Sequence, residues 1–584
     1  MNSGIGNPKT PRQASLPEVV MNLSRAAVVA VLATFAVLTH GAALPLDTVI
    51  LNGRIVDGTG SPWYRADVGI RAGRIVAIGH LTEFQARHRI NAAGLIVAPG
   101  FIDMLGQSEL TILVDPRLPS KIFQGITTEI TGEGTSVAPL RGHAMEELRP
   151  RLQHLHLAAD WSDFSGYFKR LEHQGIGINL ASFVGATTVR EIVIGGDDRP
   201  PTSGELERMR ALVRQAMEQG AVGLSSALEY PPAPYASTEE LIALAQEASR
   251  YGGVYATHMR SYGDAMAAAL DETFRIGREA SIPVEIWHLE AGGKARGHMR
   301  DVVAKIAAAR AAGIDVAADT HAYPSWFNEM SAFVPPWAHD GGTARMVERL
   351  KDPATRARVR KDMQTPSSEW ENEWLEISGP EEIMISGTNN PALKSLQGRT
   401  LKDIAAARGT DPLETLLDIL VQDNGYTFCA VFGLSEGDGV VALEQPWISI
   451  NNDYAGTSPE GLLGQEHPHP RAYGTFPRIL RKYVREDHKL TLEEAIRKMT
   501  ALPAARMRLG ERGVIKLGMW ADIVVFDPES ITDLATYAEP NQLSVGMRHV
   551  LVNGIPVIED GRETQQLPGR VLRGPGYLGV SPSK

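Results

Sequence analysis

Two histidines thirty residues apart end similar apolar runs. VYATHMRSYGD places His258 after Val254 and Tyr255, and VEIWHLEAGGK places His288 after Val284, Ile286 and Trp287. A lone histidine after a strand more often bonds a carbonyl or caps a loop. Two at equivalent positions of consecutive units make a candidate metal site. Carboxylates at other strand ends, Glu133 in TTEITGEG and Asp453 in PWISINND, complete a donor set that suits Zn²⁺ or a similar divalent ion with a position left open for water. Such an ion lowers the pKa of its water and polarises a carbonyl, the requirements of hydrolysis. Asp453 could take the water's proton and return it to a leaving amine.

The elements needed to gather these groups can be read from the pattern. Between the two histidine runs, AMAAALDETFRIGREASI has the apolar stripe and polar face of a helix. Strand, helix and strand in parallel place both imidazoles on one rim. Eight apolar strand candidates recur: Leu95–Asp103, Thr127–Gly134, Ile178–Ala186, Ala221–Pro232, the two histidine runs, Ile314–Pro324 and Pro446–Asp453. Continuous apolar strands alternating with helices predict an α/β fold, a (β/α)₈ TIM-like barrel over residues 99–509 with its active groups at the strand C-termini. Charged helix-forming segments such as ARMVERLKDPATRARVRKDM predict a helical insertion, 325–440, over the mouth. Short strands with turn residues at both ends, 46–98 and 510–571, predict a composite β-sandwich. Asn52-Gly53 and Ala72-Gly73 are read as hairpin turns.

The chain has 584 residues, 57 glycines and 43% hydrophobic residues, a globular composition for two or three domains. A net charge of −11 argues against a nucleic-acid surface. Residues 1–43 read as an extension and signal peptide: from Met21, Arg25 precedes a short apolar core from Ala26 to Leu38 and small residues at Gly41, Ala42 and Ala43. The core is shorter than the ~20 residues of a membrane span. Export to the periplasm is the expectation, with no membrane partner beyond the leader. The one cysteine, Cys429, allows no internal disulfide.

LNGRIVDGTG with APGFID, GAVGLSSALEYPP, GGVYATHMRS, FVPPWAHDGG, HPRAYGTFPR and GVIKLGMWADIVVFDP occur in one order from about Asp47 to Gly561. Through these strings the chain resembles the amidohydrolase superfamily, in the branch of D-aminoacylases (N-acyl-D-amino-acid deacylases). The resemblance implies a barrel beside a β-sandwich made from both ends. It implies His258 and His288 as metal ligands, Asp453 as the catalytic aspartate, Arg471 as the arginine holding the substrate's carboxylate, and Tyr323 near that group.

Departures from the family pattern are as informative. Met104, Leu105, Gly106 and Gln107 stand where the family has a metal-binding His-x-His. Glu133 replaces its metal-binding cysteine, Ala186 a histidine, and Glu290 a lysine that grips the substrate carboxylate, with Lys294 or Arg296 available to neutralise it. One metal ion, held by Glu133, His258 and His288 with Asp453 nearby, is therefore expected rather than two. The expected substrate is a small N-acyl amino acid or dipeptide-like amide. A cyclic amide or a substrate without a carboxylate, and a binding protein that has lost catalysis, remain the alternatives. The oligomeric state has no sequence signal.

Overall fold

A computed structural model describes residues 45–579 apart from Ala322, Ser368 and Glu369; the expected leader lies outside them. All eight expected barrel strands are present: Phe101–Asp103, Ile126–Thr131, Asn179–Ser182, Gly223–Ala227, Val254–His258, Val284–Ile286, Val316–Thr320 and Ile448–Ile450. Each pairs in parallel with its neighbours, and Val184–Gly185 continues the third strand to meet the fourth. The seam between first and eighth closes through Met104 N–H to Ile450 O (3.3 Å), Asp453 N–H to Leu105 O (2.9 Å) and a parallel bridge from Gly106 to Tyr454.

The strands form because their side chains are covered on both sides. Val254–His258 is buried at every residue, as continuous apolar runs in parallel sheets require. The helix Met266–Ala280 follows with Met266, Ala269, Leu270, Thr273, Phe274 and Gly277 on its buried face, the spacing of a helical stripe. Gly277 lies against the sixth strand, where a Cβ would come 2.6 Å from Val284 Cγ2.

Both chain ends contribute to one nine-stranded sheet, in which Ile96–Pro99 from the N-terminal part pairs with Ile523–Phe526 from the C-terminal part. Ile50, Ile70, Ile90, Val97, Ile523 and Leu551 meet in its core. The apolar run Leu95–Asp103 thus serves two sheets, dividing at Gly100 between Ile96–Pro99 and Phe101–Asp103. A side chain at Gly100 would collide with Thr127 of the second barrel strand. Ala72-Gly73 turns a hairpin, but Asn52-Gly53 does not. It lies within the strand Leu46–Ile55 as a bulge, Asn52 at φ +61°, and a Cβ on Gly53 would meet Val97 at 2.5 Å.

Segment 568–574 runs beside the barrel between its third and fourth strands: Leu180 N–H donates to Arg570 O (3.0 Å), Leu572 N–H to Leu180 O (2.8 Å) and Gly574 N–H to Gly220 O (2.9 Å).

The insertion carries helices, such as Thr343–Lys351 and Pro412–Gln422, around its own apolar core. Its charged sequence gave no sign of the three-stranded antiparallel sheet it also holds, Trp326–Glu329, Phe428–Val431 and Ile383–Gly387. Trp326, Phe327 and Phe428 of this sheet wall the cavity at the barrel mouth. Among the described residues no helix is long and apolar enough to cross a membrane.

Candidate metal centre and its cavity

The fifth and sixth strands deliver His258 and His288 to one point, and the turn after the second strand brings Glu133 between them. Glu133 Oε1 lies 3.2 Å from His258 Nδ1 and 3.1 Å from His288 Nε2, and one donor atom from each residue lies within 4.8 Å of the others. Ligands ~2.0–2.1 Å from a tetrahedral zinc ion stand roughly 3.3–3.4 Å from one another. The observed separations fit that geometry, and two imidazoles with a carboxylate are a chemically suitable set.

Surrounding groups hold these ligands in place. His258 Nε2 pairs with Glu229 Oε2 at 2.7 Å, so that Nδ1 faces Glu133; a carboxylate behind a histidine ligand fixes its ring and raises its basicity. Tyr262 packs against both imidazoles, at 5.1 Å from each ring, and anchors its hydroxyl on Trp287 O (2.8 Å). His288 N–H donates to Asp319 Oδ1 at 2.6 Å. His288 and Asp453 both adopt left-handed backbone, φ +33° and +45°, a strained conformation for such residues that the surrounding barrel must enforce.

Burial pushes the Glu133 carboxyl up, but hydrogen bonds from both histidines and their charge outweigh it and hold Glu133 well below the usual carboxylate range. Burial alone would lower His258; its bonds to Glu133 and Glu229 raise it to about 10.

Asp453 is on the same rim. Gln107 Nε2 donates to Glu133 Oε2 (2.7 Å) and to Asp453 Oδ1 (3.1 Å). Arg471 Nη2 lies 2.6 Å from Asp453 Oδ2. Burial raises the Asp453 carboxyl to about 7, against the lowering influence of Arg471 and His288, a value suited to proton transfer near neutrality.

The other expected residues are placed differently. Arg471 is 1% exposed and outside the cavity lining, occupied by Asp453 and with its guanidinium over the Phe327 ring. Tyr323 is also outside: Arg478 packs over its ring, and its hydroxyl faces Gly474. Glu290 does line the cavity, but neither Lys294 nor Arg296 neutralises it. Lys294 pairs with Asp264, Arg296 approaches Glu382, and the neighbour of Glu290 is His321, with Nε2 at 2.5 Å from Oε1. His321 Nδ1 accepts the Tyr323 N–H (3.1 Å), and its Nε2 stands between Glu290 and Arg471 Nη1, the latter also 3.1 Å away.

Glu229 and His321 escaped the sequence reading although each follows a barrel strand, the fourth and seventh, by the same rule that found His258. Glu371, Glu373 and Glu376 also line the cavity; they come from the insertion, where no strand end marks them.

The cavity has a volume of about 430 Å³. The ionisable groups of its wall are mostly glutamates, Glu229, Glu371, Glu373 and Glu376 in one group and Glu147, Glu191 and Glu329 in another. Among the described lining residues Arg151 is the only arginine or lysine. Burial, then the charges of Glu147 and Glu329, lifts Glu191 to about 8. Its folded-state pKa is raised, so the folded protein binds more protons than the unfolded chain between about pH 4.5 and 8, and stability falls as pH rises through that window. Glu191→Gln is expected to stabilise the protein at pH 8 by on the order of 2–4 kcal/mol and to change little at pH 4.5. Denaturant melts at the two pH values check this; equal effects at both would contradict it.

The amidohydrolase family pattern matches residues 89–558, and that of the urease alpha-subunit N-terminal domain residues 34–100. D-aminoacylase of Alcaligenes xylosoxydans xylosoxydans is 36% identical over 90% of this chain and 98% of its own length. The chain belongs to the amidohydrolase family, in its D-aminoacylase branch. N-acyl-D-glutamate deacylase of the same organism is 34% identical over 92% of this amidohydrolase and 98% of its own length. The crystal structure of N-acyl-D-glutamate deacylase from Bordetella bronchiseptica, complexed with zinc and a phosphonate inhibitor that mimics the tetrahedral intermediate, superposes with a TM-score of 0.75 at 34% identity, covering 91% of this chain and all of that one. A D-aminoacylase structure described by its binuclear metal centre, with one-metal activation and second-metal attenuation, gives 0.76 at 34% identity, with the same coverage.

Proposed function

We propose that this amidohydrolase hydrolyses the linear amide of a small N-acyl amino acid, most closely an N-acyl-D-amino acid, with one divalent ion, zinc in the first place, held by Glu133, His258 and His288. The observation that carries the reading is the convergence of these three donor atoms beside Asp453 at the barrel mouth. A divalent ion bound there supplies Lewis acidity, activating water towards ~pH 7 and polarising the amide carbonyl. The chain's own residues do the rest. Glu229 holds the His258 ring, and Gln107 and Arg471 hold the two oxygens of Asp453. Asp453 accepts a proton from the attacking water and delivers it to the departing amine nitrogen as the C–N bond breaks. The aromatic wall of Trp326, Phe327 and Phe428 packs against the acyl part and excludes water from it.

The carboxylates of the cavity bear on the side chain of the amino acid. An acidic side chain would meet repulsion from Glu229 and Glu290, whose carboxyls, against the effect of burial, are held below their ordinary range by His258 and His321, so a neutral or basic one is favoured. A second reading, a substrate lacking a free carboxylate, draws support from Arg471, which Asp453 already occupies, and from Glu290 in place of the family's lysine.

Amine release from N-acetyl and longer-chain N-acyl D- and L-amino acids and their carboxamides tests both readings. The expected result is hydrolysis of D-substrates with kcat/KM at least ~10-fold lower for acidic than for neutral or basic side chains, an effect of about 1.4 kcal/mol. Preference for acidic side chains would refute the assigned selectivity. Preference for the carboxamides would establish the second reading.

A further inference from the structure

The two oxygens of Glu133 face different partners. Oε1 points between His258 Nδ1 and His288 Nε2, whereas Oε2 accepts a hydrogen bond from Gln107 Nε2 at 2.7 Å. The same amide nitrogen donates to Asp453 Oδ1 at 3.1 Å. A primary amide has two hydrogens on that nitrogen, and each is directed at a carboxylate, one after the second strand and one after the eighth. Two carboxylate oxygens converging on one point ordinarily have a cation between them, since each would otherwise oppose the ionisation of the other. Here the point is filled by a neutral NH₂ group.

The backbone holds that group in place. Gly106 N–H donates to Ile130 O (2.8 Å) and Gln107 N–H to Tyr454 O (3.3 Å), stitching this turn to the second strand and to the segment after the eighth. Gly106 passes directly over the Glu129 carboxylate, where no Cβ fits. Leu105, fully buried, packs among Ile102, Met104, Ile130 and Trp287 and offers no donor. The first strand therefore contributes one polar group to the centre, and it is the NH₂ end of that amide that faces both carboxylates.

We infer that the Gln107 amide takes the place of a second metal ion, limiting this centre to one ion and acting as the positioning residue for Asp453. The inference rests on the metal-dependent reading above. It separates this chain from the D-aminoacylase described as binuclear with second-metal attenuation: an excess of zinc finds no second site here and does not attenuate turnover.

Zinc per chain, measured by elemental analysis after equilibrium dialysis against a large excess of zinc and by calorimetric titration, tests it in the wild type and two variants. The wild type is expected to hold one zinc in a single binding phase. Gln107→Glu keeps the shape of the side chain but replaces the donor nitrogen by an acceptor oxygen, and is expected to take up a second zinc. Gln107→Leu is expected to keep one zinc and the wild-type KM while kcat falls by ~10-fold or more, because Asp453 loses its orientation. Two zinc ions in the wild type, one in Gln107→Glu, or an unchanged kcat in Gln107→Leu would each overturn the inference. No zinc in the wild type would refute the metal-dependent reading itself and this inference with it, an outcome the same assay distinguishes from two.

Discussion

His288→Ala is expected to purify without stoichiometric zinc and with kcat/KM lowered by ~10³ or more, while remaining folded. Removing the imidazole leaves Glu133 and His258 as two adjacent donors, fewer than the three protein ligands of a catalytic zinc site. A Lewis acid contributes several kcal/mol of transition-state stabilisation, and each ~1.4 kcal/mol is tenfold in rate. Stability should change little. The ring faces the cavity, so water replaces it, and the strand end stays anchored by His288 N–H on Asp319 Oδ1 and by the buried Trp287. Elemental analysis and amine release on the same preparation decide the matter. Stoichiometric zinc together with wild-type turnover in His288→Ala would show that the centre lies elsewhere.

Lys121→Met should produce the largest loss of stability in the barrel. The Lys121 ammonium is inaccessible to solvent, and its Nζ donates to Asp103 Oδ2 (2.8 Å), Asn452 Oδ1 (2.7 Å) and Tyr454 O (2.8 Å), with Glu129 Oε1 at 3.4 Å. One cation therefore joins residues of the first and second strands and those just after the eighth, across the seam where the barrel closes. Methionine fills the volume but leaves two buried carboxylates without a counter-charge, an arrangement costing about 3–5 kcal/mol. That is a large part of the 5–15 kcal/mol that typically holds a protein folded. Burial already raises both Asp103 and Glu129 above their ordinary values with lysine present, and without it they must be protonated in the fold. The loss should therefore be greatest near neutral pH and shrink as pH falls towards the ordinary carboxylate range. Thermal unfolding at pH 5 and pH 7.5 reads both signs; a loss that grew towards low pH would show that the ammonium, not the carboxylates, had been the costly partner.

Much of this was legible in the sequence, and the rest was not for identifiable reasons. Parallel strands covered on both faces leave unbroken apolar runs, and all eight were visible. The run Leu95–Asp103 hid its division because both halves are buried and paired, one in each sheet. His258, His288, Glu133 and Asp453 were expected at strand ends, where barrel chemistry collects, and the fold brings them to one rim. Their partners were not, because an ion pair depends on which rotamers meet across the mouth. Arg471 turned to Asp453, and His321, not Lys294 or Arg296, came to Glu290. The Trp326–Glu329 strand and Glu371, Glu373 and Glu376 belong to an insertion whose placement is a long-range matter, and helical charge patterns within it gave no sign that its residues form the cavity wall.

The segment beside the third strand imposes an order on synthesis. Leu180 emerges from the ribosome 390 residues ahead of Arg570, whose carbonyl receives its N–H. At the usual 5–20 residues per second, that is a wait of roughly 20–80 s. Throughout it the third strand presents an unsatisfied edge beside the fourth, and Ile523–Phe526 has not yet reached Ile96–Pro99. The nascent barrel can gather its histidines, but its last seam stays open until translation is nearly finished. Exposed strand edges are what holdase chaperones and aggregation compete for, so this amidohydrolase should depend more on protection during synthesis than a barrel completed within its own strands.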